Sequence, residues 1–354
     1  MIDRASYELE WIRKVSASLG KKGDPKLLEK VIYAFTLLEQ LVAHKLDFIF
    51  KGGTSLLLST NSPRRFSIDI DIITSTPQKE IEALLEKIVA TGLFIRWAPD
   101  NDRKSAVEAP VAHYKLYYKS KVDTHIPEEP ILLDILFAAN PYQKVKEYPI
   151  AHDWILTDKE PLTVNIPVFE SLLGDKLTAF APTTTGILYT KNRPVEIIKQ
   201  LYDVGLLFDL SSDFELVKKS FLKVVHEEIA YRKLNITWKQ VLQDTTETCH
   251  ILAQRDQARQ EFIHLQTGIT NITNFILDRF KIEEAITASA KTAYLCSLLQ
   301  ADETGEPGRF ESPTQLADLK IESTNHLKLN KLKKTNPEAF YYWHKSIELN
   351  AKLS

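Results

Sequence analysis

Lys51-Gly52-Gly53-Thr54-Ser55-Leu56, followed by Arg64-Arg65-Phe66-Ser67-Ile68-Asp69-Ile70-Asp71-Ile72-Ile73, decides how this 354-residue chain is read. In the second run Ser67, Asp69 and Asp71 alternate strictly with Phe66, Ile68, Ile70 and Ile72. That period of two predicts a β-strand with one polar and one apolar face, and it puts both acids on the polar face, ~6.6 Å apart along the strand. Two carboxylates so placed repel unless a cation lies between them. Ligands that are all oxygen suit Mg²⁺ or Mn²⁺ rather than zinc, and such an ion bridges the phosphates of a nucleoside triphosphate. Just upstream, the apolar run Leu46-Asp47-Phe48-Ile49-Phe50 ends at Lys51 and the two glycines. A strand, a two-glycine turn and a short helix from Thr54 to Ser59 fit that order. Exposed backbone N–H groups at such a helix start attract anions, and a hydroxyl of Thr54 or Ser55 adds a donor. Glycine is scarce, 11 residues in the chain, so an adjacent pair is informative. Taken singly, a glycine pair reads as a turn and an Asp-x-Asp as a solvated face.

The flanking sequence predicts a mixed front half. Leu27, Leu28, Val31, Ile32, Phe35, Leu38 and Leu41 recur at helical steps within residues 5–46. A helix is expected over 78–89, strands over 111–118 and 131–137, and helices over 167–180 and 192–207. Residues 212–300 read as almost entirely helical, and a Lys-rich segment follows a Gly/Pro loop at 304–308. The fold class is therefore α+β, a mixed sheet with flanking helices, followed by a mainly helical C-terminal domain. The boundary is placed at 208/209, giving domains 1–208 and 209–354.

Composition narrows the field. The chain is 44% hydrophobic and 26% charged, which excludes a disordered protein. Its 45 basic and 47 acidic residues give a net charge of -2, which excludes a globally basic nucleic-acid coat but not a local groove. Two cysteines, Cys249 and Cys296, rule out a disulfide framework and a Cys-built zinc site. The nine His residues form no HxxxH pair. No apolar run approaches the ~20 residues that span a bilayer, and no targeting segment is visible, so a cytoplasmic location is expected.

The run KGGTSL with RRFSIDIDI resembles the nucleotidyltransferase toxins of the AbiEii/AbiGii class, members of the DNA polymerase β-like superfamily. The resemblance continues at Leu172-Leu173-Gly174-Asp175-Lys176-Leu177 and at Ile197-Ile198-Lys199-Gln200-Leu201-Tyr202-Asp203-Val204. It implies that Gly52, Gly53 and Thr54 hold a triphosphate, that Asp69 and Asp71 ligate the metals, that Lys176 contacts phosphate and that Asp203 sits near the active site. Lys51, Ser55, Arg65 and Ser67 complete the expected nucleotide-binding set. Many relatives have Asp directly after the basic residue of the fourth motif, where this chain has Gln200. The superfamily also places a third carboxylate on a later strand, which points to Asp134 in Ile131-Leu132-Leu133-Asp134-Ile135-Leu136-Phe137 as a further metal ligand or the base. An ionised acid in that apolar run is costly unless it is paired or metal-bound, so a structural Asp remains the other reading. For Lys176 the other reading is a snorkelling lysine.

The expected activity is Mg²⁺-dependent (or Mn²⁺-dependent) transfer of an NMP from an NTP to an acceptor hydroxyl, with RNA (tRNA first) as acceptor. The resemblance implies a toxin of a toxin–antitoxin or abortive-infection (phage defence) system, with an antitoxin as partner and no membrane. The alternatives are a transferase acting on protein or a small molecule, and an inactive binding module of the same fold. Lys328, Lys331, Lys333 and Lys334 are candidates for RNA contact or a solvated helix face. Thr183, Thr184 and Thr185 are weaker phosphate-binding candidates. His113, His125 and His152 form no coherent constellation.

Overall fold

A computed structural model describes residues 1–60, 64–101 and 109–353. The helical pattern of the first forty residues becomes two helices, α1 (Leu9–Ser18) and α2 (Pro25–Ala43). Asp24 caps α2 by accepting from the Lys26 N–H, and Pro25 occupies the first turn, where no N–H is needed. Leu28, Val31, Ile32, Phe35 and Leu38 of α2 are buried in the core. Next come β1 (Ile49–Lys51), α3 (Gly52–Ser59), β2 (Ile70–Thr74), α4 (Gln78–Ala90), β3 (Arg96–Pro99), β4 (Val111–Tyr118) and β5 (Glu129–Phe137). Among the described residues these strands form a five-stranded sheet in the order β1-β2-β5-β4-β3. It is mixed: β2 runs parallel to β5, and the other pairs are antiparallel. A two-stranded ribbon, β6 (Val145–Pro149) with β7 (Thr163–Pro167), follows.

Four local expectations need correction. The strand expected from Phe66 begins only at Ile70, so Ser67 and Asp69 precede it. The alternation there is genuine, but the backbone of 64–66 pairs with a distant segment instead of with the sheet. Arg65 bridges Ile276, the Phe66 N–H donates to the Phe275 carbonyl at 2.7 Å, and the Leu277 N–H donates to the Arg64 carbonyl at 2.8 Å. Nor is there a separate two-glycine turn. The chain passes from Lys51 of β1 directly into α3, the reversal being absorbed at Gly52, whose φ of +78° suits a residue without Cβ. The strand expected to start at Ile131 starts at Glu129, so Pro130 lies inside β5, opposite Tyr117. Pro167 ends β7 rather than starting a helix.

The helical part comprises α5 (Phe169–Ala179), α6 (Pro194–Leu210), α7 (Phe214–Tyr231), α8 (Trp238–Gln254), α9 (Gln260–Asn271), α10 (Ile282–Ala301), the short α11 (Leu332–Thr335) and α12 (Pro337–Leu353). Most residues of α10 are buried, 14 of its 20, as befits a helix apolar around much of its circumference. Gly174 brings α5 close to α7, since a Cβ there would lie 2.6 Å from the Phe221 backbone nitrogen. Cys249 and Cys296 are buried free thiols. No helix among the described residues is long and apolar enough to cross a membrane.

The chain forms two compact units, Met1–Val168 with Asn274–Asp278, and Phe169–Thr273 with Arg279–Ser354. Packing thus divides the chain after Val168. The helices α5 and α6 bury their apolar faces among the C-terminal helices, and the first unit takes back a five-residue segment from far along the chain.

Candidate active site

Within the first unit the glycine pair and the acids are neighbours. A Cβ at Gly52 would collide with Asp71 Oδ2, so the first turn of α3 and the carboxylate touch only because Gly52 has no side chain. A Cβ at Gly53 would collide with Arg65 Nη2 and lie 2.6 Å from Ser67 Oγ. Arg65 is buried, and its Nη1 donates to the Phe66 carbonyl at 3.1 Å. Thr54 Oγ1 donates to the Asp69 carbonyl at 2.6 Å and lies 3.0 Å from Ser67 Oγ, so it ties α3 to the chain entering β2. Ser55 is buried and donates to the Gly52 carbonyl at 2.8 Å. The hydroxyls of Thr54 and Ser55, expected as phosphate donors, thus bind the protein's own backbone and stiffen the turn.

Pairing register sets the rest. Lys51 of β1 lies opposite Asp71 of β2, Asp71 opposite Asp134 of β5, and Asp134 opposite His113 of β4. Residues in direct cross-strand register share a face. The four therefore form one row across the sheet: a cation, two acids and an imidazole. His113 Nδ1 is 2.7 Å from Asp134 Oδ1, and both side chains are roughly one quarter exposed (22% and 24%). A carboxylate only accepts, so His113 Nδ1 carries the proton of this bond.

Lys176 and Asp203 belong to the helical unit. Lys176 Nζ lies 3.0 Å from Asp203 Oδ2 and donates to Gln200 Oε1, also at 3.0 Å. The Asp203 side chain is 1% exposed and that of Lys176 10%, so Lys176 does not snorkel. It belongs to a buried ion pair that the Gln200 amide completes without adding a second negative charge. The three hydroxyls after α5 are consumed locally. Asp244, whose carboxyl burial pushes above its ordinary pKa, accepts from the Thr183 N–H at 2.9 Å and from Thr184 Oγ1 at 2.7 Å. Thr185 Oγ1 donates to the Thr178 carbonyl at 2.8 Å. An anion facing these groups disfavours phosphate there.

Among the described residues no group of three or more His, Cys, Asp or Glu side chains is gathered closely enough to hold a metal ion unaided. Mg²⁺ seldom needs such a cage: it keeps several waters and is held by one or two carboxylates together with substrate phosphates. Asp71 and Asp134, oxygen donors side by side in register, fit that mode of binding.

His113 is the site residue that sequence reasoning missed. The only signal was the opposition of two strands, which a lone histidine in one of them does not announce.

A glycine-started helix thus lies against an acid on the neighbouring strand, with a second acid one strand further in. The family model of the nucleotidyl transferase AbiEii toxin, Type IV TA system, matches residues 36–280. The chain belongs to this family of nucleotidyltransferase toxins, whose toxin–antitoxin setting implies an antitoxin partner. The structure is similar to the crystal structure of JHP933 from Helicobacter pylori, with 14% identity, 77% of this chain and 90% of that chain covered, and a TM-score of 0.41. A comparison with curated proteins returns no match.

Proposed function

We propose that this chain transfers a nucleoside monophosphate from an NTP to a hydroxyl of RNA, tRNA first, with Mg²⁺ or Mn²⁺, in the cytoplasm. The observation that carries the reading is the contact between Asp71 and the Gly52 turn at the start of α3, with Asp134 in register beside it. Backbone N–H groups at that helix start and the guanidinium of Arg65 attract the triphosphate. The absent side chains of Gly52 and Gly53 let carboxylate and guanidinium close on the same turn. When bound, the cation would be held by Asp71 and Asp134 and would neutralise phosphate charge; Asp69, the other expected ligand, precedes β2 and forms no three-acid cluster with them. In the transfer, the acceptor oxygen bonds to the α-phosphorus and the bond from that phosphorus to the β-bridging oxygen breaks. Pyrophosphate leaves, and the hydroxyl proton passes to the carboxylate of Asp134, which needs hydrogen-bond reach of it. Lys176, whose ammonium Asp203 holds within the helical unit, is assigned a phosphate contact by the family resemblance alone. Positioning and fixed charge supply most of the rate.

The test is incubation with each α-³²P-labelled NTP, Mg²⁺, and total RNA or lysate. Label entering RNA supports the reading. Label entering protein or a small molecule replaces the acceptor, and absence of transfer with every NTP leaves an inactive binding module.

A further inference from the structure

The row across the sheet ends at a residue to which the proposed reaction assigns no role. We infer that His113 is a positioning residue for Asp134: it holds one carboxylate oxygen so that the other faces the bound cation or the acceptor hydroxyl. The inference rests on the nucleotidyl-transfer reading above and deepens it.

Three observations support it. First, His113 and Asp134 are direct register partners on β4 and β5, so backbone pairing places the imidazole against the carboxylate rather than chance rotation of a surface side chain. Second, the bond joins Nδ1 to Oδ1 at 2.7 Å, within the range of a charge-assisted contact. The terminal torsion of an aspartate is otherwise a broad, nearly two-fold rotor, and one short bond to Oδ1 selects where Oδ2 points. Third, the opposite neighbour of Asp134 in the row is another acid, Asp71. Like charges directly across a sheet repel, and a donor that holds Oδ1 on the side away from Asp71 acts in the same direction as that repulsion, so the two together fix one orientation. The donor is on the far side, on β4. Carboxylates that ligate metals are commonly hydrogen-bonded by outer-shell groups, whose loss costs about 10- to 100-fold in affinity or activity.

The experiment compares the full-length chain with His113→Leu, which removes the donor, and His113→Asn, whose Nδ2 replaces Nδ1. Three quantities are measured: kcat and NTP KM for transfer, Mn²⁺ affinity in the presence of a non-hydrolysable NTP analogue, and thermal stability. The expected result for His113→Leu is a fall of about 10- to 100-fold in kcat or in Mn²⁺ affinity at an unchanged melting temperature, with NTP KM nearly constant. His113→Asn should restore most of the loss. A purely structural histidine predicts the reverse: a lower melting temperature with normal kcat and Mn²⁺ affinity in the folded fraction. That result, or equal loss in the Leu and Asn variants, overturns the inference. If the unaltered chain transfers no nucleotide at all, the proposed function fails. Mn²⁺ affinity then decides the role of His113 separately: weaker binding in the Leu variant, restored by Asn, supports it, and unchanged binding overturns it.

Discussion

One ammonium, that of Lys176, is shared between an acid and an amide three residues apart on α6: Asp203 Oδ2 and Gln200 Oε1 each lie 3.0 Å from it. Removing the cation takes this counter-charge from the buried Asp203 carboxylate. Lys176→Met is therefore expected to destabilise the protein by about 3–5 kcal/mol, the usual cost of breaking a buried ion pair from one side. Adding Asp203→Asn to it removes the stranded charge and should recover most of that loss in urea denaturation. The folded double variant then measures the phosphate contact, expected as a raised NTP KM. If KM is unchanged in it, Lys176 serves the fold alone.

Asp71→Asn should separate activity from stability. The change relieves repulsion with Asp134 and also weakens attraction to Lys51 across the other side of β2. Each cross-strand term is roughly 0.2–1 kcal/mol, so the two nearly offset, and the melting temperature without metal should move by only a few degrees. Transfer should be abolished, because a neutral amide is a poor ligand for Mg²⁺. Residual activity near that of the unaltered chain in a labelled-NTP assay would remove Asp71 from the site.

Gly52→Ala tests the contact itself. At φ +78° an alanine carries roughly 1–2 kcal/mol of backbone strain, and its methyl must push the Asp71 carboxylate aside. Both stability and transfer should fall, whereas Asp71→Asn affects transfer alone. A Gly52→Ala variant with normal kcat would show that Asp71 need not touch the α3 turn.

Acid should weaken the fold through the half-buried His152. Burial lowers His152 from 6.5 to about 4. The Trp154 N–H donates to its Nδ1 at 3.2 Å, and the ring packs against Trp154 and Phe35. A folded pKa below the unfolded value means that the unfolded chain binds the proton first. The stabilisation is thus complete above pH 6.5 and is lost as pH falls toward 4, by about 3 kcal/mol. Melting curves between pH 7 and pH 4 should show this slope, reduced in His152→Asn, which keeps an acceptor for the Trp154 N–H but cannot titrate.

Expectations for the basic C-terminal segment are narrowed by Lys333. Its ammonium donates to the carbonyls of Ala317 and Leu319, at 3.0 and 2.9 Å, so it pins a loop. Lys328, Lys331 and Lys334 are exposed. Charge reversal at these three should leave the melting temperature unchanged while weakening RNA binding and flattening its salt dependence, measured across a KCl series. An unchanged salt slope removes the segment from the RNA surface.

The parts of the fold legible in the sequence were those written in local periodicity. Residues 111–118 form a strand over the expected range because alternation and its flanking breakers coincide. The expected helix over 78–89 extends one residue further. Short or edge strands escaped. In β3, Arg96-Trp97-Ala98-Pro99 has no clean alternation, and its proline is tolerable only because the strand lies at an edge. At the site, the acids and glycines were visible because their chemistry needs particular residue types. The role of His113 depends on which residue of β4 faces Asp134, and register between separate strands is not a local property. Arg65 was visible as a charge, but its pairing with Ile276, roughly two hundred residues away, left no mark in either segment.

That pairing bears on how the chain is made. Synthesis delivers the N-terminal part first, so β1, α3 and β2 leave the ribosome well before Asn274–Asp278 exists. Until that segment emerges, the stretch holding Arg64, Arg65 and Phe66 lacks its backbone partners, and the guanidinium beside Gly53 is not yet anchored. A growing chain, or one cut short before residue 274, therefore carries the acids of the site without its completed arginine loop. A cell translating this toxin meets the finished site only near the end of each round of synthesis.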